Sequence, residues 1–156
     1  MHLHKGFEYF MKRLGLFSFV VCFLLLSGCM NSVTARIVED MYMAALNEDV
    51  DKAVSYFSED FLADKQLDEL MSDLTADVIN MEGIAFMNII ELNERKLNPD
   101  LIEKLDDSYG EAWHFVIAKV DQNHIMTWVV QKGSSQYYIV GGEEVHVDKY
   151  NEEVLK

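Results

Sequence analysis

Two cysteines, one proline and 13 basic residues against 27 acidic ones are the scarcities that constrain this chain first. The formal net charge of −14 argues against nucleic acid and against peripheral binding to anionic lipid, since both require Lys and Arg patches to meet phosphate. Both cysteines, Cys22 and Cys29, lie near the N-terminus. Residues 30–156 therefore hold no disulfide, no thiolate metal site and no cysteine nucleophile, and a domain there is stabilised by its core alone. His114, His124 and His146 lack the i, i+4 helical spacing or neighbouring cysteines of a zinc site. Gly141-Gly142 is too short for a phosphate loop and reads as a bend or bulge in a strand. No metal and no cofactor are expected.

Long apolar runs are scarce too, with one exception. Lys12 and Arg13 precede about thirteen mostly apolar residues, Leu14 to Leu26, a length that suits the 7–15 of a signal-peptide core better than the roughly 20 of a spanning helix. An uncleaved transmembrane anchor is the alternative. The run closes on Leu26-Ser27-Gly28-Cys29, which resembles the lipobox of bacterial lipoproteins. That resemblance implies acylation of the Cys29 sulfur with palmitate-type chains, cleavage that frees Cys29 as the new N-terminus, and a place in the cell envelope. Met30 lacks the aspartate associated with inner-membrane retention, which by the same resemblance favours the outer membrane, facing the periplasm, in a Gram-negative cell; otherwise the outer face of the cytoplasmic membrane is implied. Residues 1–10 add Glu8 and aromatics ahead of the usual basic start, so translation is expected to begin at Met11.

Removing 1–28, which hold Lys5, Lys12, Arg13 and Glu8, leaves 10 basic against 26 acidic residues, a net of −16. The membrane link must then be covalent. The expected plan is a short tether over 29–34, one α+β domain over 35–142 and a polar acidic tail over 143–156 that frays.

Apolar residues recur at three and four through Ile37, Val38, Met41, Tyr42, Ala45 and Leu46, predicting a helix from Ala35 to Leu46. Asp49 is placed to cap a second helix with Val50, Ala53, Val54 and Phe57. Leu67, Leu70, Met71, Leu74 and Val78 predict a third, with Asp68, Glu69, Asp73 and Asp77 as its solvated face. From Ile84 to Leu92 the β-branched and aromatic content predicts a strand. Asn98-Pro99-Asp100 marks a break, with one helical turn over Leu101 to Leu105. Three strands follow, Glu111 to Asp121, Ile125 to Gln131 and Gln136 to Val140, joined by loops short enough for antiparallel hairpins. In the first of them both faces are apolar. His114, Val116 and Ala118 lie on one and Trp113, Phe115 and Ile117 on the other, so the second face is expected to meet a ligand, a second copy or an envelope partner.

Helices followed by an antiparallel meander, with the run Met43-Ala44-Ala45-Leu46-Asn47-Glu48-Asp49-Val50 leading to Phe57-Ser58-Glu59-Asp60-Phe61, resemble the nuclear-transport-factor-2-like, or cystatin-like, α+β fold. The resemblance implies N-terminal helices on a curved antiparallel sheet enclosing a cone-shaped pocket, with Tyr42, Tyr56, His114 and Trp128 as candidate lining groups. That fold serves binding proteins and enzymes alike. Two readings follow from it. In the first, an anchored domain without catalysis binds a partner protein or a small apolar ligand, as a homodimer or with another envelope protein through Trp113, Phe115 and Ile117. In the second, a cone-pocket isomerase or hydrolase uses His114 as base with Tyr42 or Tyr56.

Overall fold

Ser32 caps the first helix: its hydroxyl accepts the Ala35 N–H at 3.1 Å and starts α1, Val33–Leu46. The computed structural model describes residues 32–156, so Met11, the lipobox and Cys29 lie outside the described residues. The start of α1 already trims the expected 29–34 tether. Among the described residues no helix is long and apolar enough to cross a membrane.

Helix α1 buries Val38, Met41, Tyr42 and Ala45, the stripe its spacing predicts. Asp49 caps α2, Val50–Val54, by accepting the Lys52 N–H at 3.2 Å. Ser58 does the same for the single turn α3, Glu59–Leu62. Helix α4, Leu67–Asn80, runs antiparallel to α1: Tyr42 meets Asp77, and one turn on the Thr75 hydroxyl donates to the Ala45 carbonyl.

The expected strand over Ile84 to Leu92 is mostly not a strand. A 3-10 turn occupies Ile84–Phe86, and only β1, Ile90–Leu92, joins the sheet. Gly83 and Asn88 take positive φ on either side of this turn, a conformation that ends extended pairing. Met87 and Ile89 then drop into the core beneath α1 rather than alternating across a ladder.

The Asn-Pro-Asp break is a helix start. Asn98 accepts the Asp100 N–H at 3.0 Å, Pro99 takes the first position, and α5 runs Pro99–Tyr109. Strands β2 (Trp113–Lys119), β3 (His124–Lys132) and β4 (Tyr137–His146) complete a four-stranded antiparallel meander in the order β1-β2-β3-β4. The protein is thus α+β, with helices packed on an antiparallel sheet.

Helices α1 to α4 cover one face through Val116, Ala118, Trp128, Val130 and Ile139. The other face is covered by this chain itself. Leu101, Ile102 and Leu105 of α5, with Tyr150 and Val154 of the terminal turns Val147–Lys149 and Tyr150–Val154, pack on Trp113, Phe115, Ile117 and Val129. Trp113, Phe115 and Ile117 are at most 7% exposed, so they are core and not an interface. The indole of Trp113 is further fixed by its N–H bond to Asp106 at 2.8 Å.

The same packing holds residues 143–156, where the sequence predicts a fraying polar tail. Residues 143–146 finish β4, and the chain end is held by backbone bonds from Asn98 N to Val154 O at 2.8 Å and from Lys156 N to Lys96 O at 3.0 Å. A bulge opposite Val129 and Val130 leaves Val140 as the extra residue, which bends β4 just before Gly141-Gly142. These glycines are required by space. A Cβ on Gly142 would enter the Trp128 ring, and one on Gly141 would meet the Tyr109 hydroxyl on the opposite face. Gly142→Ala is expected to cost about 1–3 kcal/mol in urea denaturation, because the indole is locked in the core and cannot yield cheaply.

Candidate functional site

A cavity of about 610 Å³ opens between the first three turns of α4 and the β3–β4 ladder. Its apolar lining comes from Phe61, Leu70, Leu74, Met126 and Trp128. Phe57 and Phe61 stack at 5.1 Å, and both pack against Trp128, as does Tyr42 edge-on at 6.2 Å. Gly142 lets the indole lie flat on the strand. The polar lining is almost wholly acidic: Asp64, Glu69, Asp73, Asp77, Glu143 and Glu144 against Lys65, and the Lys65 ammonium sits over the Phe61 ring at 5.3 Å.

Asp77 is the carboxylate drawn furthest inward. Its Oδ2 accepts the Tyr42 hydroxyl at 3.2 Å. Half-burial is the chief reason its pKa rises from 3.8 to about 6; the Tyr42 bond opposes that rise, while the charges of Glu144, Asp73 and Asp121 add to it. Tyr42 is fully buried, and burial, then the Asp77 charge, push its phenol well above 10.0, so it acts as a neutral donor. The Trp128 indole N–H lies close enough to the Tyr42 oxygen to ease that rise slightly, yet it forms no hydrogen bond and is the buried side-chain polar atom without a partner among the described residues. The pair therefore offers a carboxyl group that changes charge near pH 6 beside a fixed hydroxyl donor, on an aromatic floor.

Of the sequence candidates, the structure brings Tyr42 and Trp128 together and leaves the other two elsewhere. Tyr56 lies at the sheet edge, where its carbonyl accepts the Ile139 N–H at 2.8 Å. His114 shares the helix-covered face, as its alternation predicts, but sits at the end of β2 with its ring against Tyr137 and Nδ1 at 2.8 Å from Glu91. It lines a separate groove of about 390 Å³ with Asn93, Glu94 and Arg95. Half-burial works against ionisation of Glu91, but hydrogen bonds from Ser32, Thr34 and His114 together outweigh it and hold the carboxyl below its ordinary value. His114 is thus a structural partner of Glu91 and of the α1 start, and it forms no hydrogen bond with Tyr42 or Tyr56.

Asp77, Asp73 and Glu69 are the site residues missing from the sequence reading, where they belong to a solvated face. The available signal was the position of Asp77, one turn after Leu74 and next to Val78, at the border of the apolar stripe. No family model, curated protein or solved structure matches the chain.

Proposed function

We propose that this protein is a bacterial envelope lipoprotein, anchored through Cys29, whose α+β domain binds a small ligand with an apolar body and a positively charged group in the α4–sheet cavity. The anchor rests on the basic segment, the apolar run and Leu26-Ser27-Gly28-Cys29. The carrying observation for the ligand is the make-up of the cavity, an aromatic and aliphatic floor under a carboxylate rim with Asp77 half-buried between them. A cation over such a floor is held by the rings as well as by the carboxylates.

The test is a titration of the mature protein with benzylamine, benzyl alcohol and benzoate, which share a ring and differ in charge, followed on the Trp128 indole and Met126 methyl signals by NMR. Benzylamine is expected to shift both, benzyl alcohol weakly and benzoate not at all. Binding needs ionised Asp77, so it weakens as pH falls through about 6, roughly tenfold one unit below that value. Equal binding of benzoate, or no response by either signal, defeats the ligand assignment.

The Tyr42–Asp77 bond supports a second reading, an isomerase or hydrolase in which Asp77 moves the proton and Tyr42 donates to a developing negative charge. In that reading Asp77 takes the role the sequence assigned to His114. It requires turnover with a rising limb near pH 6 that Asp77→Asn abolishes.

A further inference from the structure

Ser32 and the cavity lie towards opposite ends of α1. Three residue-to-residue steps link Cys29 to Ser32, a reach of at most about 11 Å, and the helix then carries the chain about 15 Å from Ser32 to Tyr42. The α1 start is held in place. Thr34 donates to the Glu91 carboxylate at 2.5 Å, Ser32 supports the same group, and His114 closes it from β2. Because α4 runs antiparallel to α1, its N-terminal turns, which line the cavity, sit beyond the C-terminal half of α1, while Gly83 to Met87 fill the side towards the tether.

Charge points the same way as geometry. The groove at the tether end carries Arg95 and His114 beside Glu91 and Glu94, and the first turns of α1 add Arg36, Glu39 and Asp40, a mild excess of acid. The cavity rim has six carboxylates for one lysine. Within a Debye length of an anionic leaflet, the rim is repelled more strongly than the tether end.

We infer that the cavity opens away from the membrane, so that its cationic ligand is a water-soluble solute taken from the aqueous compartment rather than a lipid drawn from the bilayer. This rests on the proposed anchoring at Cys29. With lipid on Cys29, the mature chain has no free thiol, which makes single-cysteine labelling clean. The full-length protein with Asp64→Cys or Glu94→Cys, both exposed positions, is expressed in a bacterium, labelled with bimane and placed in phosphatidylcholine–phosphatidylglycerol vesicles carrying headgroup nitroxide. Quenching is expected to be at least threefold stronger at 94, on the tether side, than at 64, on the rim. Equal or stronger quenching at 64 overturns the inference while leaving the anchor intact. Failure of the anchor has its own signature, bimane on Cys29 and protein that does not float with the vesicles, and that outcome removes both.

Discussion

A Cys29→Ala variant expressed in a bacterium is expected to lose all acyl mass and to accumulate as a precursor that still carries its upstream segment, whereas the parent protein begins at a diacylglycerol-modified Cys29. The difference is all or none, because the sulfur is the only attachment point and the alanine methyl cannot replace it. Two or more acyl chains at about 0.8 kcal/mol for each buried CH₂ hold the protein firmly, while one chain alone binds only marginally. A domain with a net charge of −16 gains nothing from an anionic surface to make up that difference. Intact mass of both proteins, with globomycin as a second block on processing, reads the result directly. An unmodified parent mass would return the N-terminal segment to an ordinary secretion signal or a membrane span. The same spectra locate the start: a precursor peptide containing Phe7 or Tyr9 would rule out initiation at Met11.

Trp128→Ala is expected to cost about 3–5 kcal/mol, a large share of the roughly 5–15 kcal/mol that separates a domain of this size from its unfolded state. Trp128 is 1% exposed and touches Tyr42, Phe57 and Phe61, so α1, the α2–α3 link and the sheet all lean on one ring. Its loss opens a void that backbone on one side and three aromatics on the other cannot fill. Trp128→Phe should cost much less, since it also removes an N–H that has no partner. Urea midpoints with unchanged slopes would measure both. The Gly142→Ala penalty should largely vanish in the Trp128→Ala background, because the side chain it collides with is gone, and a double-mutant cycle isolates that coupling. A cost below about 1 kcal/mol for Trp128→Ala would mean that the ring does not hold the two layers together.

The legible parts of the fold were those where one face of an element decides its period. The α1 stripe, the Asp49 cap and the β2–β4 hairpins follow from residues within one element or one turn. What misled were signals with two meanings. Asn98-Pro99-Asp100 stops one element and starts the next, and only the later Leu101, Ile102, Leu105 and Tyr109 spacing reveals α5. Ile84 to Leu92 has strand composition, but positive φ at Gly83 and Asn88 depends on how the segment must pass beneath α1. The double apolar face of β2 was real, and the covering was misassigned because it comes from α5, whose extent the Asn-Pro-Asp break concealed, and from a few apolar residues scattered through an acidic tail. At the cavity, Tyr42 and Trp128 were visible as large residues on inward faces. Asp77 was not, since its pairing with Tyr42 spans 35 positions and depends on the crossing of α1 and α4.

The backbone bonds that seat Val154 and Lys156 on the segment from Lys96 to Asn98 set a schedule for the birth of the protein. The smaller of the two core layers, the one around Trp113 and Phe115, lacks part of its lid until Tyr150 and Val154 have been made. A nascent chain in this condition keeps apolar surface open and cannot lock. On the export route proposed above, late closure would be an asset: the chain would stay pliable while it threads a secretion channel and become rigid once Tyr150 and Val154 reach the far side.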